Sequence, residues 1–165
     1  MRVAKIQKYD TAQWDGINTS IFFTGCTHKC PGCFNNEIQS FDAGELFDKT
    51  KMELLLSYVL DSQVKGLCVL GGEPFQQDLD ALYDLLYIVK TVTNKPIHVW
   101  TGYTLEELVY IQGAYKVLSL CDTLVDGRFI LAKKDLSLKF RGSSNQRVID
   151  VQQSLLKNET ILLNV

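Results

Sequence analysis

The sequence contains no apolar run close to the roughly 20 residues that a membrane-spanning helix requires, so we expect no membrane association. It also lacks an excess of either charge. Its 17 basic and 19 acidic residues give a formal net charge of -2, which does not favour nucleic-acid binding. No internal repeat, low-complexity tract or Pro/Gly/Ser-rich linker divides the chain. With 46% hydrophobic and 22% charged residues, residues 1–165 are expected to form a single globular domain.

The first ten residues alternate charged and apolar side chains, and this pattern predicts a β-strand. They lack the continuous apolar stretch of a secretory signal peptide. Without an export signal the expected location is the cytoplasm, where disulfide bonds are rare.

Cysteine has the most unusual distribution of any residue type in the chain. There are five cysteines, an odd number, and Cys26, Cys30 and Cys33 fall within a span of eight residues. In a protein without an export signal, this spacing favours a metal site or a redox site over a disulfide framework. Cys68 and Cys121 lie in apolar, strand-like segments, so we expect them to be core thiols.

Strand-like and helix-like segments alternate along the chain. Four short apolar runs predict strands: Thr19–Thr24, Gly66–Leu70, Ile97–Trp100 and Cys121–Val125. The segments between them have the apolar spacing of helices, with predicted capping boxes at Thr50 and Thr104 and a predicted cap at Asp78. The last residues, Leu155–Val165, fit either a helix or a strand.

Parallel strands joined by crossover helices form α/β folds, in which ligand sites lie at the carboxyl ends of the strands. Each predicted strand is followed by an unusual loop: the cysteine loop, Gly71–Pro74 (GGEP), Thr101–Tyr103 (TGY) and Asp126–Gly127. We therefore expect these loops to meet at one edge of the sheet. Because a full eightfold barrel typically needs about 250 residues, the chain predicts an incomplete (β/α) barrel: a mostly parallel sheet with an added N-terminal strand.

The cysteine loop can offer three thiolates to a [4Fe–4S] cube, whose usual complement is four cysteines. The missing fourth ligand would leave one iron free to bind a small molecule, as catalytic zinc sites keep one position open. A structural zinc site would need a fourth ligand and usually shows a second ligand pair, which this chain lacks. His28 is too close to Cys26 and Cys30 in sequence to chelate beside them. The spacing favours iron–sulfur over zinc, and a redox dithiol, which needs only two of the three cysteines, is favoured least.

Two motifs resemble those of the radical S-adenosylmethionine (SAM) superfamily: the C-x3-C-x2-C loop, and GGEP after the next strand. Four segments resemble, more narrowly, the anaerobic ribonucleotide reductase activating proteins: Cys30–Asn35 (CPGCFN), Trp100–Tyr103 (WTGY), Asp126–Phe129 (DGRF) and Phe140–Arg147 (FRGSSNQR). These matches run across nearly the whole chain. Many superfamily members have an aromatic residue just before the third cysteine, where this chain has Gly32. Here the aromatic residue is Phe34, just after that cysteine, and the activating proteins share this arrangement. The resemblance leaves open which side chain packs on the adenine.

This resemblance implies an enzyme that reductively cleaves SAM on a [4Fe–4S] cluster and generates a glycyl radical on the large chain of an anaerobic ribonucleotide reductase. It implies that Cys26, Cys30 and Cys33 hold the cluster and act catalytically through it, while the fourth iron binds the SAM amino and carboxylate groups. Glu73 would accept a hydrogen bond from the SAM amino group. The residues expected to contact SAM are Gly32, Cys33, Phe34, Gly71, Gly72, Glu73, Pro74 and Thr101. The fold expected from the resemblance is the incomplete barrel of the radical SAM type.

Two protein partners are implied as well: the reductase large chain, and an electron donor such as a flavodoxin-like protein. Arg141 and Arg147 flank a polar stretch that fits either a docking loop or a solvated surface loop, and His28 and Lys29 are expected on the loop surface. Three alternatives stay open. They are an activase of another glycyl-radical enzyme of the pyruvate formate-lyase type, a small-molecule radical SAM enzyme, and a zinc-stabilised interaction domain.

Overall fold

Seven strands and five α-helices make up the computed structural model, which describes residues 1–165. The strands are β1 (Arg2–Asp10), β2 (Asn18–Phe23), β3 (Glu45–Leu46), β4 (Leu67–Gly71), β5 (Ile97–Trp100), β6 (Thr123–Asp126) and β7 (Arg147–Asp150). The helices are α1 (Lys49–Val59), α2 (Leu79–Thr93), α3 (Leu105–Leu108), α4 (Ala114–Leu118) and α5 (Val151–Lys157).

All seven strands belong to one sheet, in the order β3-β1-β2-β4-β5-β6-β7. The central strands β2, β4, β5 and β6 run parallel, and the crossover segments between them contain α1, then α2, then α3 and α4. The outer pairings β3–β1, β1–β2 and β6–β7 are antiparallel. The predicted α/β class and the added N-terminal strand are therefore confirmed. The sheet as a whole is mixed and open, with β3 and β7 at opposite edges.

Two of the three predicted helix starts are confirmed. Asp78 caps α2, and Thr104 forms a capping box at the start of α3. The predicted capping box at Thr50 is wrong, because Asp48 caps α1 with a side chain that accepts from the Lys51 N–H at 3.0 Å. An aspartate two residues earlier satisfies the same free backbone donors, so the helix starts before Thr50.

Side chains of the central strands alternate between two faces of the sheet. One face belongs to the main apolar core, together with the helices; its strand residues include Ile21, Phe23, Leu67, Val69, Ile97, Val99 and Leu124. The opposite face carries a buried, mostly polar row in register across four strands: Ser20, Cys68, His98 and Thr123. On this same face and two residues further along their strands, Phe22, Leu70 and Trp100 form one wall of the cavity described below.

The C-terminal segment contains both a helix and a strand-like contact. Helix α5 ends at Lys157, and beyond it a single antiparallel bridge joins Leu162 to Ile149 of β7. None of the helices has the length and apolar character needed to cross a membrane.

Candidate functional site

The cysteine loop follows β2 and is held by backbone hydrogen bonds. The Cys26 N–H donates to the carbonyl of Gln39 at 2.9 Å, and the Cys33 N–H donates to the carbonyl of Cys30 at 3.1 Å. Lys29 has left-handed backbone (φ 48°), which turns the chain between the first two cysteines. All three thiols are free and half-buried, so the loop presents them together without a disulfide.

Asn35 connects the cysteine loop to the end of β4. Its side-chain amide donates to the carbonyl of Gly71 at 2.8 Å, and its backbone N–H lies 3.4 Å from the Sγ of Cys33. A single residue therefore ties the third cysteine to the GGEP segment. Sequence reasoning included Asn35 in the CPGCFN segment but gave it no role, because its partner is 36 residues away.

A cavity of about 420 Å³ lies where the loops after β2, β4, β5 and β6 meet, which confirms the predicted clustering at one sheet edge. Eight of the predicted site residues line it: Cys26, Cys30, Cys33, Phe34, Gly71, Gly72, Glu73 and Thr101. The cavity wall does not include Gly32, which is exposed beside Leu131, or Pro74, which is buried at the start of a 3₁₀ turn.

Glu73 is a buried carboxylate held by donors from two loops. Its Oε1 accepts from the Phe75 N–H at 3.0 Å and from the Thr101 hydroxyl at 2.8 Å, and its Oε2 accepts from the Gly102 N–H at 2.7 Å. The side chain is only 1% exposed. Hydrogen bonds to a charged acceptor are stronger than neutral ones, so this carboxylate joins the GGEP loop firmly to the TGY loop.

His28 was predicted to lie on the loop surface, and this prediction is wrong. Its side chain is 6% exposed and packs edge-on against the Tyr103 ring, with the ring centroids 4.5 Å apart. Its Nε2 lies 3.2 Å from Glu73 Oε2, although the two atoms are not aligned for a hydrogen bond. Gly102 leaves the space for the imidazole, since a Cβ there would approach within 2.4 Å of it. The burial depends on a residue 74 positions away, and nothing local in the sequence indicates it.

The two glycines of GGEP allow the loops to approach closely. Gly71 has a φ of 112°, which favours glycine, and a Cβ there would lie 2.4 Å from the carbonyl oxygen of Phe23. At Gly72 a Cβ would lie 2.3 Å from the carbonyl oxygen of Gly25, directly before the first cysteine. Any side chain at either position would push the cysteine loop away from β4.

The family described as 4Fe-4S single cluster domain matches residues 12–149. The anaerobic ribonucleoside-triphosphate reductase-activating protein of Haemophilus influenzae is 39% identical over 83% of this chain and 90% of its own length. The protein of that name from Escherichia coli K12 is 36% identical over 84% of this chain and 92% of its own length. The one from phage T4 is 32% identical over 90% of this chain and 93% of its own length.

The chain belongs to this family of reductase-activating proteins. The matched region extends from the loop before β2 to β7 and includes all three cysteines, GGEP and every loop that lines the cavity. The cavity therefore brings together the residues that are predicted to hold the iron–sulfur cluster of the family.

The residues present fit the family's cluster with one iron left without a protein ligand. Three thiols line the cavity, and the remaining two cysteines are buried away from it. No three His, Cys, Asp or Glu side chains are placed to hold a single metal ion. Ligands of one ion must converge on one point, whereas a cube offers each thiolate its own iron. The arrangement therefore suits a cluster better than a structural zinc site.

The protein environment disfavours free thiolates at this site. Burial raises the pKa of Cys26, and the nearby Glu73 charge adds to the effect; burial likewise raises the pKa of Cys30. A bound metal reverses this preference, because it coordinates the deprotonated thiol. Loading a cluster into this cavity would therefore release protons.

Cys68 and Cys121 are fully buried, so the prediction of core thiols is confirmed. Burial raises the pKa of Cys68 to about 12 and raises the pKa of Cys121 as well. Neither thiol lines the cavity.

The DGRF and FRGSSNQR segments meet at the end of β6. Arg147 donates through Nε to Asp126 Oδ1 at 2.9 Å and through Nη1 to Glu106 Oε1 at 3.0 Å. Asp126 also accepts from the Leu105 N–H at 2.8 Å, so the cluster ties β6, β7 and α3 together. The sequence left open whether Arg147 belongs to a docking loop or to a solvated surface loop. Neither describes it, because its side chain forms ion pairs that hold the fold together.

Proposed function

We propose that the chain activates an anaerobic ribonucleoside-triphosphate reductase by generating a glycyl radical on that enzyme. The observation that carries the proposal is one cavity holding three unpaired cysteine thiols, the two GGEP glycines and Glu73 in a member of the reductase-activating family. When bound, the [4Fe–4S] cluster supplies the electron that cleaves SAM to methionine and a 5′-deoxyadenosyl radical, which takes a hydrogen atom from the target glycine.

The chain's own residues position the reactants. Cys26, Cys30 and Cys33 would hold the cluster at the wall of the cavity and leave one iron for SAM. Glu73 is fixed by its three hydrogen bonds, so its carboxylate is already oriented for the SAM amino group.

The other residues predicted to contact SAM fall into two groups, those on the cavity wall and those outside it. Gly71, Gly72 and Thr101 lie on the cavity wall and would meet SAM through backbone or hydroxyl groups. Phe34 lines the mouth and is 59% exposed, so it offers an aromatic surface there. Gly32 and Pro74 would act indirectly, by allowing the turn of the cysteine loop and by fixing the exit of GGEP.

We further infer an incomplete barrel of the radical SAM type as a single domain, located in the cytoplasm. The open sheet favours a protein substrate, because an unclosed cavity can admit a glycine loop from a partner, whereas small substrates favour enclosed pockets. The electron would come from a donor protein such as a flavodoxin-like protein. Neither a nucleic acid nor a membrane is needed as a partner.

The test is anaerobic reconstitution of the cluster, followed by reduction and addition of SAM with and without the reductase large chain. We expect 5′-deoxyadenosine, and a glycyl radical signal in electron paramagnetic resonance only when the reductase is present. A Cys30→Ala variant is the control without an intact cluster. A fully reduced cluster that leaves SAM intact would contradict the radical SAM reaction. SAM cleavage without a radical on the reductase would contradict the partner assignment alone.

A further inference from the structure

Phe140 occupies an unusual backbone conformation at the edge of the cavity. Its φ is 63°, a left-handed value that costs a bulky residue free energy and persists only where the surroundings enforce it. Two contacts do so. The indole N–H of Trp100 donates to the Phe140 carbonyl at 2.8 Å, and the Trp14 ring stacks on the Phe140 ring with centroids 4.0 Å apart. The chain is therefore held in this turn immediately before Arg141.

Gln146 fixes the other side of the same turn. Its side-chain oxygen accepts from the N–H groups of Gly142 at 2.9 Å and Ser143 at 3.1 Å. Its side-chain amide donates to the carbonyl of Gly127 at 2.9 Å, just beyond β6. The turn that carries Arg141 is thus attached to the sheet at both ends, so the backbone position of Arg141 is fixed before a ligand binds.

Arg141 lies at the cavity wall without an acidic partner. It lines the cavity together with the three cysteines and Glu73. Its Nη1 makes one long contact, 3.3 Å, with the carbonyl of Gln146, and its Nε is buried with no hydrogen-bond partner. The two other arginines of this region are paired: Arg128 with Glu107, and Arg147 with Glu106 and Asp126. A guanidinium has five N–H donors, and with no carboxylate beside it Arg141 keeps most of them for an anionic ligand.

We propose that Arg141 binds the carboxylate of the methionine portion of SAM, an inference that rests on the proposed function. The carboxylate is the only anionic group of SAM, and the guanidinium is the side chain best suited to a carboxylate because its planar donors match the two oxygens. A carboxylate has about four lone-pair directions, so a guanidinium and an iron can share it. Glu73 would then take the amino group and Arg141 the carboxylate, which fixes the orientation of the amino acid end.

The test compares the binding of two uncleaved SAM relatives to the anaerobic, cluster-loaded protein by equilibrium dialysis. S-adenosylhomocysteine retains the amino and carboxylate groups, whereas 5′-methylthioadenosine lacks both. For Arg141→Gln we expect the Kd of S-adenosylhomocysteine to rise roughly tenfold to a hundredfold, since a charge-assisted bidentate contact is lost, with little change for 5′-methylthioadenosine. Lys139→Gln, an exposed cation in the same loop, is the matched control and should change neither Kd.

Two results would overturn the inference: an unchanged Kd of S-adenosylhomocysteine in Arg141→Gln, or an equal loss for both compounds, which would indicate a structural role. Iron content and circular dichroism verify that each variant is folded and loaded. If Arg141→Gln fails to load, Arg141→Lys replaces it, and we expect a several-fold loss that is again confined to S-adenosylhomocysteine. If wild type itself neither binds nor cleaves SAM, the proposed function fails; if wild type does both and Arg141→Gln binds S-adenosylhomocysteine normally, only this inference fails.

Discussion

Replacing Glu73 by glutamine is expected to destabilise the fold and the SAM site together. The carboxylate satisfies two backbone N–H groups, those of Phe75 and Gly102, and the hydroxyl of Thr101. An amide has only one acceptor oxygen. If the amide nitrogen takes the Oε2 position it faces the Gly102 N–H, and if it takes the Oε1 position it faces the Phe75 N–H. Either orientation leaves one buried backbone donor without an acceptor.

The expected cost of Glu73→Gln follows from these contacts. An unsatisfied buried donor costs about 1–3 kcal/mol, and the loss of charge weakens the remaining hydrogen bonds by about 1 kcal/mol more. The free energy of unfolding should therefore fall by about 2–4 kcal/mol, measured anaerobically from guanidinium denaturation midpoints. Glu53→Gln, on the exposed surface of α1, is the control and should change it by less than about 0.5 kcal/mol. A Glu73→Gln protein as stable as wild type would refute this description of the carboxylate.

Three further predictions concern other parts of the molecule. Burial lowers the pKa of His98 from 6.5 to about 4. As the pH falls, the unfolded chain therefore takes up a proton before the folded chain does. The free energy of unfolding, which is at its full value above pH 6.5, should fall by up to about 3 kcal/mol as the pH drops toward 4. His98→Gln should remove this difference between denaturation midpoints at pH 7.5 and 5.0, and an unchanged pH slope would contradict the assignment. Gly72→Ala should lower the free energy of unfolding by about 1–3 kcal/mol and weaken SAM binding, because its Cβ would lie 2.3 Å from the Gly25 carbonyl oxygen. A variant with the stability and the SAM Kd of wild type would show that the loops are not in contact. Cys30→Ala should lose the cluster in iron and sulfide analysis while Cys68→Ala retains it, and iron loss in both would mean that Cys68 is also a ligand.

The cysteine loop and GGEP could be located from the sequence because their signals are local. Cysteine spacing, paired glycines and apolar strand runs all lie within short windows, and parallel β/α topology places strand-end loops together. The fate of Cys68 and Cys121 was predictable for the same reason, since their neighbours are apolar. The error at Thr50 is of a different kind: two capping signals lie close together, and pattern alone does not decide between them.

The environments of His28 and Arg141 could not be read from the sequence. His28 is buried because Gly102 gives it room, and Arg141 faces the cavity because Trp100 and Gln146 hold its turn. Gln146 is close to Arg141 in sequence, but Gly102 and Trp100 are distant from the residues that they position. Such distant partners become known only from the folded structure. A histidine or arginine in a polar loop looks like surface until such partners are in place.

Whether this chain generates the glycyl radical on the reductase can be tested by following the hydrogen atom that is transferred. The reductase large chain would be prepared with deuterated glycine and incubated anaerobically with the reduced, cluster-loaded protein and SAM. We expect 5′-deoxyadenosine that carries one deuterium by mass spectrometry, in an amount matching the glycyl radical counted by electron paramagnetic resonance. Unlabelled 5′-deoxyadenosine alongside a full radical signal would contradict direct hydrogen transfer from the reductase glycine.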